Sequence, residues 1–154
     1  MLDYVYGQDE LVAQFVAQLI PHVRGYGFAK GKAIGVIDAQ GRLIGGIVYH
    51  DYNPQSGVIM LAAAATSPRW LTRETLRRMY EYPFAQLGVQ MVAQPTPADN
   101  ERLLRQLAAL DYMFVHVPRM FGRERDGVLA LFTREAWQKS RFIRRPELRL
   151  EEAA

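Results

Sequence analysis

The stretch Val58-Ile-Met-Leu-Ala-Ala-Ala-Ala-Thr-Ser-Pro-Arg-Trp70 decides the fold. Its part up to Thr66 is apolar on both faces, which predicts a central strand that is covered on both sides. Two strands are predicted before it, at residues 32–38 and 43–52, and the turns between the strands contain glycine, asparagine and proline. These three strands are therefore predicted to form an antiparallel meander.

After Trp70 the apolar pattern changes from the period of a strand to that of a helix. Six residues recur at helical spacing before Gly88, which is placed as a helix C-cap: Leu76, Met79, Tyr80, Pro83, Phe84 and Leu87. A strand at residues 89–94 follows, and Pro95 and Pro97 are expected to end it. The next helix is predicted to begin at Ala98 or Asp99.

The ends of the chain complete the predicted order of elements. A strand at residues 2–6 and an amphipathic helix at residues 8–23 come first, and strands at 115–121 and 128–133 and a short helix at 135–142 come last. The order of the main elements is β-α-β-β-β-α-β-α-β-β. It is typical of an α/β (α+β) fold in which helices flank a mixed, mostly antiparallel sheet.

Length and composition limit the class of protein. The chain has 154 residues, which suits one domain, predicted here at residues 1–138. No apolar run approaches the length that spans a bilayer, and the chain has no cysteine, so we expect a cytoplasmic protein without membrane contact or disulfides. No pair of its three histidines has the HxxxH or HxH spacing of metal ligands, so we expect no metal site. Five basic and three acidic residues lie from Lys139 onward, and this tail, residues 139–154, is a candidate contact for nucleic acid; the alternative is a solvated terminus.

The predicted helix after Asp99 carries a recognisable motif. Its sequence, Asn100-Glu-Arg-Leu-Leu-Arg-Gln-Leu-Ala-Ala-Leu-Asp-Tyr112, resembles the helix N-x-x-A-x-x-L-Y-x-x-x-G-F of the GNAT acyltransferase superfamily. The predicted order of elements is also the order of that superfamily. The resemblance implies the GNAT fold and an N-acyltransferase that uses acetyl-CoA or another acyl-CoA. It also implies a small-molecule or macromolecular amine as the acceptor, and it allows a homodimer.

The alanine-rich strand points to one branch of that superfamily. Its continuation into Ser67-Pro68-Arg69-Trp70 is similar to phage and prophage GNAT proteins, a group that includes the DNA-modifying Mom proteins. This likeness implies a second possible function, the modification of a nucleobase. A third possibility, from another class, is a GNAT-fold protein that has lost catalysis and serves as a binding or structural module.

The resemblance implies a set of cofactor-binding residues, and the sequence departs from the family within it. Family members bind the pyrophosphate of coenzyme A with a loop Q/R-x-x-G-x-G/A, whose counterpart here is the segment from Arg69 to Glu74, without glycine. The family's tyrosine, a proton donor to the leaving thiolate, is replaced by Leu107. The implied set comprises Ala64, Ala65, Thr66, Arg69, Trp70, Thr72, Arg73 and Asn100.

The arginines at the start of the second long helix are unusual for physical reasons. A helix N-terminus repels cations, yet Arg69 and Arg73 lie four residues apart there, next to Thr72 as a candidate N-cap. A bound anion would reverse that repulsion, so the arginines are candidates to replace the missing glycine amides. We then expect both guanidinium groups to border a concave site beside the alanine strand. The alternative is that they face solvent and that Arg77 pairs with Glu74 or Glu81.

The densest polar group in the chain is Tyr49-His50-Asp51-Tyr52, at the end of a predicted strand. Strand alternation predicts that Tyr49 and Asp51 share one face, with His50 and Tyr52 on the other. A histidine can accept the proton of an amine near neutral pH, and an aspartate can hold a cationic or amide substrate. Tyr49, His50 and Asp51 are therefore the candidate catalytic residues, and a polar strand end at the surface is the alternative.

Overall fold

The computed structural model of the chain describes residues 1–28 and 30–140. A single mixed sheet of seven strands has the order β1-β2-β3-β4-β5-β7-β6. The strands are β1 (Asp3–Tyr6), β2 (Lys32–Ile37), β3 (Leu43–Asn53), β4 (Val58–Ala65), β5 (Met91–Pro97), β6 (Met113–Val117) and β7 (Gly127–Thr133). The helices are α1 (Asp9–Leu19), α2 (Arg73–Glu81), α3 (Glu101–Ala109) and α4 (Arg134–Lys139).

The predicted order of elements and the mixed, mostly antiparallel sheet are confirmed. The meander β2-β3-β4 is antiparallel, and β4 pairs with β5 in the one parallel contact of the described sheet. The predicted last helix is present as α4, which ends at Lys139. The basic tail lies, from residue 141 onward, outside the described residues. Within the described part of the chain, no helix is both long enough and apolar enough to cross a membrane.

Helices cover both faces of the sheet, as its apolar composition requires. On one face, Val12 and Val16 of α1 pack against Ala33 and Val48. Gly46 allows this close approach, because a Cβ there would lie 2.7 Å from Val16 Cγ2. The larger core lies on the other face, under α2 and α3. Its fully buried large side chains include Ile47, Tyr49, Leu61, Tyr80, Phe84 and Phe132.

The second long helix is interrupted at Pro83, where the sequence predicted a continuous stripe. The α-helix ends at Glu81, and residues Tyr82–Leu87 form a wider helical turn that Gly88 closes in the left-handed conformation. Proline has no N–H and cannot bond the carbonyl of Met79, four residues earlier. Tyr49 Oη donates to that carbonyl oxygen instead, at 2.5 Å. The tyrosine of β3 therefore satisfies a carbonyl that the proline leaves free.

The prediction that Pro95 and Pro97 end the strand before them is wrong. Both prolines belong to β5 and pair with β7, opposite Leu129 and Gly127. On its other side, β5 pairs with β4 only from Met91 to Ala93. A proline cannot donate to a sheet ladder and is tolerated where a strand has an open edge. The prolines are therefore accommodated because β4 has left β5 before they are reached.

The separation of β4 from β5 is the feature of the fold that creates a site. The two strands pair over Val58–Met60 and Met91–Ala93, yet β4 continues to Ala65 and β5 to Pro97. Beyond Met60, β4 keeps β3 as its partner on one side and faces the gap on the other. This leaves part of the β4 backbone available for hydrogen bonds to something other than a strand.

Candidate active site

A cleft of about 790 Å³ lies in the gap between β4 and β5. Residues 61–64 of β4 and residues 94–97 of β5 form its walls, and the segment after α1, the start of α3 and the loop between β6 and β7 close it. Its volume is in the usual range for sites that bind small molecules and cofactors. The gap between the strands is thus a site of the size that a ligand requires.

Two buried polar atoms in the cleft have no hydrogen-bond partner. Gln94 and Thr96 line the cleft and are 7% and 1% exposed, and Gln94 Oε1 and Thr96 Oγ1 find no partner among residues 1–28 and 30–140. They stand two residues apart on β5, so their side chains lie on the same face of the sheet. Leaving such a group unsatisfied costs about 1–3 kcal/mol. Both atoms are closed to solvent although their residues line one wall of the cleft, and this makes Gln94 and Thr96 candidates for contact with a polar ligand there.

A histidine–aspartate pair lies at the end of β3 and lines the same cleft. His50 Nδ1 and Asp51 Oδ2 are 2.5 Å apart, and the His50 ring also packs against Phe28, with ring centroids 5.2 Å apart. Neighbouring side chains on a strand normally point to opposite faces. Here the pairing register shifts between His50 and Asn53, and Asp51 has a positive φ of 52°. The left-handed residue turns the carboxylate back onto the imidazole before it.

This bulge overturns the predicted alternation at the strand end. Tyr49 and Asp51 do not work together on one face, because the carboxylate of Asp51 pairs with His50 instead. Tyr49 is 1% exposed, does not line the cleft and uses its hydroxyl on the Met79 carbonyl. Burial raises the pKa of Tyr49 well above its usual range. Tyr49 is therefore a core residue that caps a broken helix, and His50 and Asp51 are the candidates that reach the cleft.

The opposite wall of the cleft carries a second ionic pair. Arg125 Nη2 and Nε donate to the two carboxylate oxygens of Asp99, at 3.0 and 3.1 Å. His22 packs edge-on against Phe121, with ring centroids 4.7 Å apart. Burial and the Arg125 guanidinium together lower the pKa of His22. This wall therefore presents aromatic side chains and the carboxylate of Asp99, whose two oxygens already accept hydrogen bonds from Arg125.

Asn100 lines the cleft and also has a local structural role, and its contact with a cofactor stays a prediction. It lines the cleft at the start of α3, and its Oδ1 accepts from Leu103 N at 3.3 Å as the N-cap of the helix. The leucine at position 107, where the family has tyrosine, is buried in the larger core. Tyr112 packs in that core too, with its hydroxyl 2.5 Å from that of Tyr80. None of these groups supplies a proton donor in the cleft.

The start of α2 is capped within the chain. Thr72 Oγ1 accepts from Thr75 N at 3.1 Å, as predicted for an N-cap, and the Thr75 hydroxyl donates to the carbonyl of Trp70 at 2.6 Å. The Trp70 ring covers Gly45, where a Cβ would lie 2.9 Å from the ring. Trp70 thus contributes to packing at the end of the meander.

The arginines of this helix do not border the cleft, contrary to our expectation. Arg69 and Arg73 are exposed and are absent from its walls. This arrangement matches the alternative given above: both arginines are exposed, and Arg77 Nη2 donates to Glu74, which also accepts from Arg78. A site between Arg69 and Arg73 therefore stays a prediction for a part of the surface beyond the end of β4.

The remaining predicted residues divide between the cleft and its surroundings. Ala64 lines the cleft, whereas Ala65 and Thr66 do not, and Thr66 N instead donates to the carbonyl of Ile44 at 2.9 Å. Five further residues line the cleft that were not predicted from the sequence: Gln94, Thr96, Asp99, Arg125 and His22. Two polar residues at alternate positions of an otherwise apolar strand were the available signal for Gln94 and Thr96. The others come from separate loops that only the tertiary structure brings together.

Comparison with known proteins identifies the fold. No protein-family model matches this chain, and no curated protein matches it in sequence. Among solved structures, a mutant form of the spermidine/spermine N-acetyltransferase SpeG from Vibrio cholerae superposes with a TM-score of 0.71 at 13% identity, over 89% of this chain and 97% of that one. A dodecameric spermidine N-acetyltransferase from the same organism gives 0.70 at 15% identity, over 90% and 96%. The chain has the GNAT fold, and the expectation drawn from the Asn100 helix is confirmed at that level.

Proposed function

We propose that this protein is an N-acyltransferase that transfers an acyl group from an acyl-CoA to an amine. The observation that carries the proposal is the cleft between β4 and β5, with the unpartnered Gln94 and Thr96 atoms on its wall. The GNAT fold and the acetyltransferases that share it support the same reading. The phage likeness, nucleic-acid binding through the tail and a homodimer stay predictions.

The residues of the cleft fit the thioester end of an acyl-CoA. That end carries amide groups and a thioester, and the cleft offers backbone groups of β4 that lack a strand partner on the β5 side. Gln94 Oε1 can accept from an amide N–H, and Thr96 Oγ1 can donate or accept. The side chains of Ala62, Ala63 and Ala64 are small, so a ligand can approach the backbone of β4 closely. The bound group would supply an activated acyl carbon.

The chain's own contribution to the reaction is proton transfer and positioning. As the amine nitrogen bonds to the acyl carbon and the C–S bond breaks, the nitrogen must lose a proton. The carboxylate of Asp51 accepts from His50 Nδ1–H, which leaves His50 Nε2 as the proton acceptor. His50 is the proposed general base, and Asp51 is the residue that orients it. The family's position for a proton donor to the leaving thiolate holds the buried Leu107, so we assign that proton to solvent, which reaches the cleft on the side of the exposed Tyr26.

Binding of acetyl-CoA is the first expected result. At 1 mM, acetyl-CoA should raise the melting temperature of the protein, since a ligand at a hundredfold excess over its Kd stabilises the folded state by about 2.7 kcal/mol. Mass spectrometry of a mixture with a primary amine should then detect the acetylated amine. A protein that neither acetyl-CoA, longer acyl-CoAs nor free CoA stabilises would instead be a catalytically inactive GNAT-fold module. Modified nucleosides in the DNA of an expressing host would support the Mom-like alternative.

Although Arg69 and Arg73 lie outside the walls of the cleft, we propose that they hold the phosphate end of the same ligand where it leaves the cleft beyond the end of β4. Changing both to alanine should weaken CoA binding, because each charge-assisted contact is worth about 1.5–3 kcal/mol. Removing two cations from a helix N-terminus should leave the empty protein as stable as before, or more stable by about 0.5–1 kcal/mol. Thermal unfolding with and without CoA measures both effects. Arg102→Ala and Arg105→Ala, on the exposed surface of α3, serve as charge-matched controls. Unchanged CoA affinity in the Arg69/Arg73 variant would exclude these residues from the site.

A further inference from the structure

Both acidic side chains of the cleft already pair with partners within the chain, and one of them, Asp99, is neutralised by a cation. Among the described residues that line it, Asp51 and Asp99 are the two acids. Asp51 pairs with His50 Nδ1, and Asp99 accepts two hydrogen bonds from Arg125. A ligand with several positive charges would need a carboxylate for each cation that loses contact with water. To use Asp99, such a ligand would have to displace the bidentate guanidinium of Arg125.

The part of the cleft that surrounds His50 and His22 is otherwise apolar and aromatic. Phe28 packs on His50, and Phe121 packs on His22. Leu19, Ile20, Val23 and Met120 contribute further apolar lining. The guanidinium of Arg125 places a positive charge near His22, which works against an extended cation on this side. The wall beside the proposed base is therefore suited to a ring or another apolar body.

We propose that the acceptor is a monoamine carried on an apolar, ring-bearing body, and that polyamines are poor acceptors. The inference rests on the proposed function and names the acceptor class of that site. Contact of a ring with Phe28 and Phe121 would place the single amino group next to His50. The spermidine N-acetyltransferases therefore have the same fold as this chain, but the side chains that line this cleft favour a different class of amine.

The test uses the full chain with acetyl-CoA as the acyl donor and compares three amines that differ in the group that carries the amino group. 2-Phenylethylamine, n-butylamine and spermidine are supplied as acceptors, and the acetylated product and free thiol are measured. The expected kcat/KM is highest for 2-phenylethylamine and at least about tenfold lower for spermidine, since burying a ring removes a large apolar area from water. Equal or better use of spermidine by the unmodified protein overturns the proposal.

Two variants assign the preference to the residues named. Phe28→Ala should raise the KM for 2-phenylethylamine several-fold and leave that for spermidine unchanged. Arg125→Gln frees the Asp99 carboxylate and should improve the use of spermidine, whereas Arg123→Gln, in the same loop but outside the cleft, should not. A spermidine rate that is the same in the Arg125 and Arg123 variants contradicts the role given to the ionic pair.

A binding measurement separates this proposal from the proposed function. Thermal unfolding is followed with each amine in the absence of an acyl donor. Saturable stabilisation by 2-phenylethylamine and none by spermidine supports the amine class, even where acyl transfer is not detected. No response to acetyl-CoA counts against the acyltransferase, and stabilisation by spermidine alone counts against the amine class.

Discussion

Replacing His50 with glutamine is expected to lower kcat for acyl transfer by roughly 10²–10⁴-fold. The imidazole is the one proton-accepting ring that the structure places in the cleft beside a carboxylate that orients it. Glutamine keeps polar contacts and a comparable size, but it cannot take up a proton at neutral pH. The KM for acetyl-CoA should change little, because His50 is assigned to the acceptor amine. Steady-state kinetics with 2-phenylethylamine as acceptor measure both constants.

His116 provides a matched control for this variant. Its Nε2 lies 2.9 Å from Asp126 Oδ2, so it is also a histidine paired with an aspartate, but it is exposed and does not line the cleft. His116→Gln should leave kcat within about twofold of the unmodified protein, on the view that proton transfer occurs at His50. A similar loss in both variants, or no loss in His50→Gln, would remove His50 from the mechanism.

Replacing Thr96 with valine and Gln94 with methionine should make the empty protein more stable and make it bind acyl-CoA less well. Each change removes a buried polar atom that has no partner, and such an atom costs the fold about 1–3 kcal/mol. In a chain of this size, each kcal/mol corresponds to a rise in Tm of about 2–4 °C. A ligand that used both atoms should bind the double variant about tenfold or more weakly. Thermal unfolding with and without acetyl-CoA measures the two effects in one experiment.

Thr75→Val is the contrasting substitution for this prediction. The Thr75 hydroxyl is also buried, but it donates to the Trp70 carbonyl and lies within hydrogen-bond distance of Tyr4 Oη. Its loss should therefore destabilise the protein, with the opposite sign to Thr96→Val. Should Thr96→Val also destabilise the empty protein, its hydroxyl has a partner inside the fold. Should the double variant bind acetyl-CoA as tightly as the unmodified protein, the two atoms do not face that ligand.

Local pattern was sufficient for most of the fold. The apolar run from Val58, the turn residues on either side of β3 and the helical stripe that includes Tyr80 and Phe84 each specify an element through contacts between near neighbours. The Asn100 helix then carried the resemblance to the GNAT fold, and the structure bears that out. These features depend on period, capping and turn chemistry, which are properties of short segments.

The prolines show where local reasoning gave the wrong answer. Pro95 and Pro97 were expected to end a strand, because proline removes a donor from a sheet. Whether that donor is missed depends on the neighbouring strand, and β4 has already left β5 at that point. At Pro83 the carbonyl left free in α2 is satisfied by Tyr49, a residue from a different strand. The effect of a proline was thus set by partners distant in the sequence.

Some features of the candidate site likewise follow from the sequence alone, and others depend on the tertiary structure. The sequence by itself determined that His50 and Asp51 are polar residues at the end of a strand and that Asn100 begins a helix. Only the tertiary structure decided that Asp51 turns back onto His50 through a left-handed residue at a bulge, and that Tyr49 belongs to the core. It also decided that Gln94 and Thr96 face a gap in the sheet and that Arg125 occupies Asp99. The physical reason is that a segment's own sequence sets its backbone conformation, whereas the partner of a polar group is set by which segments pack together.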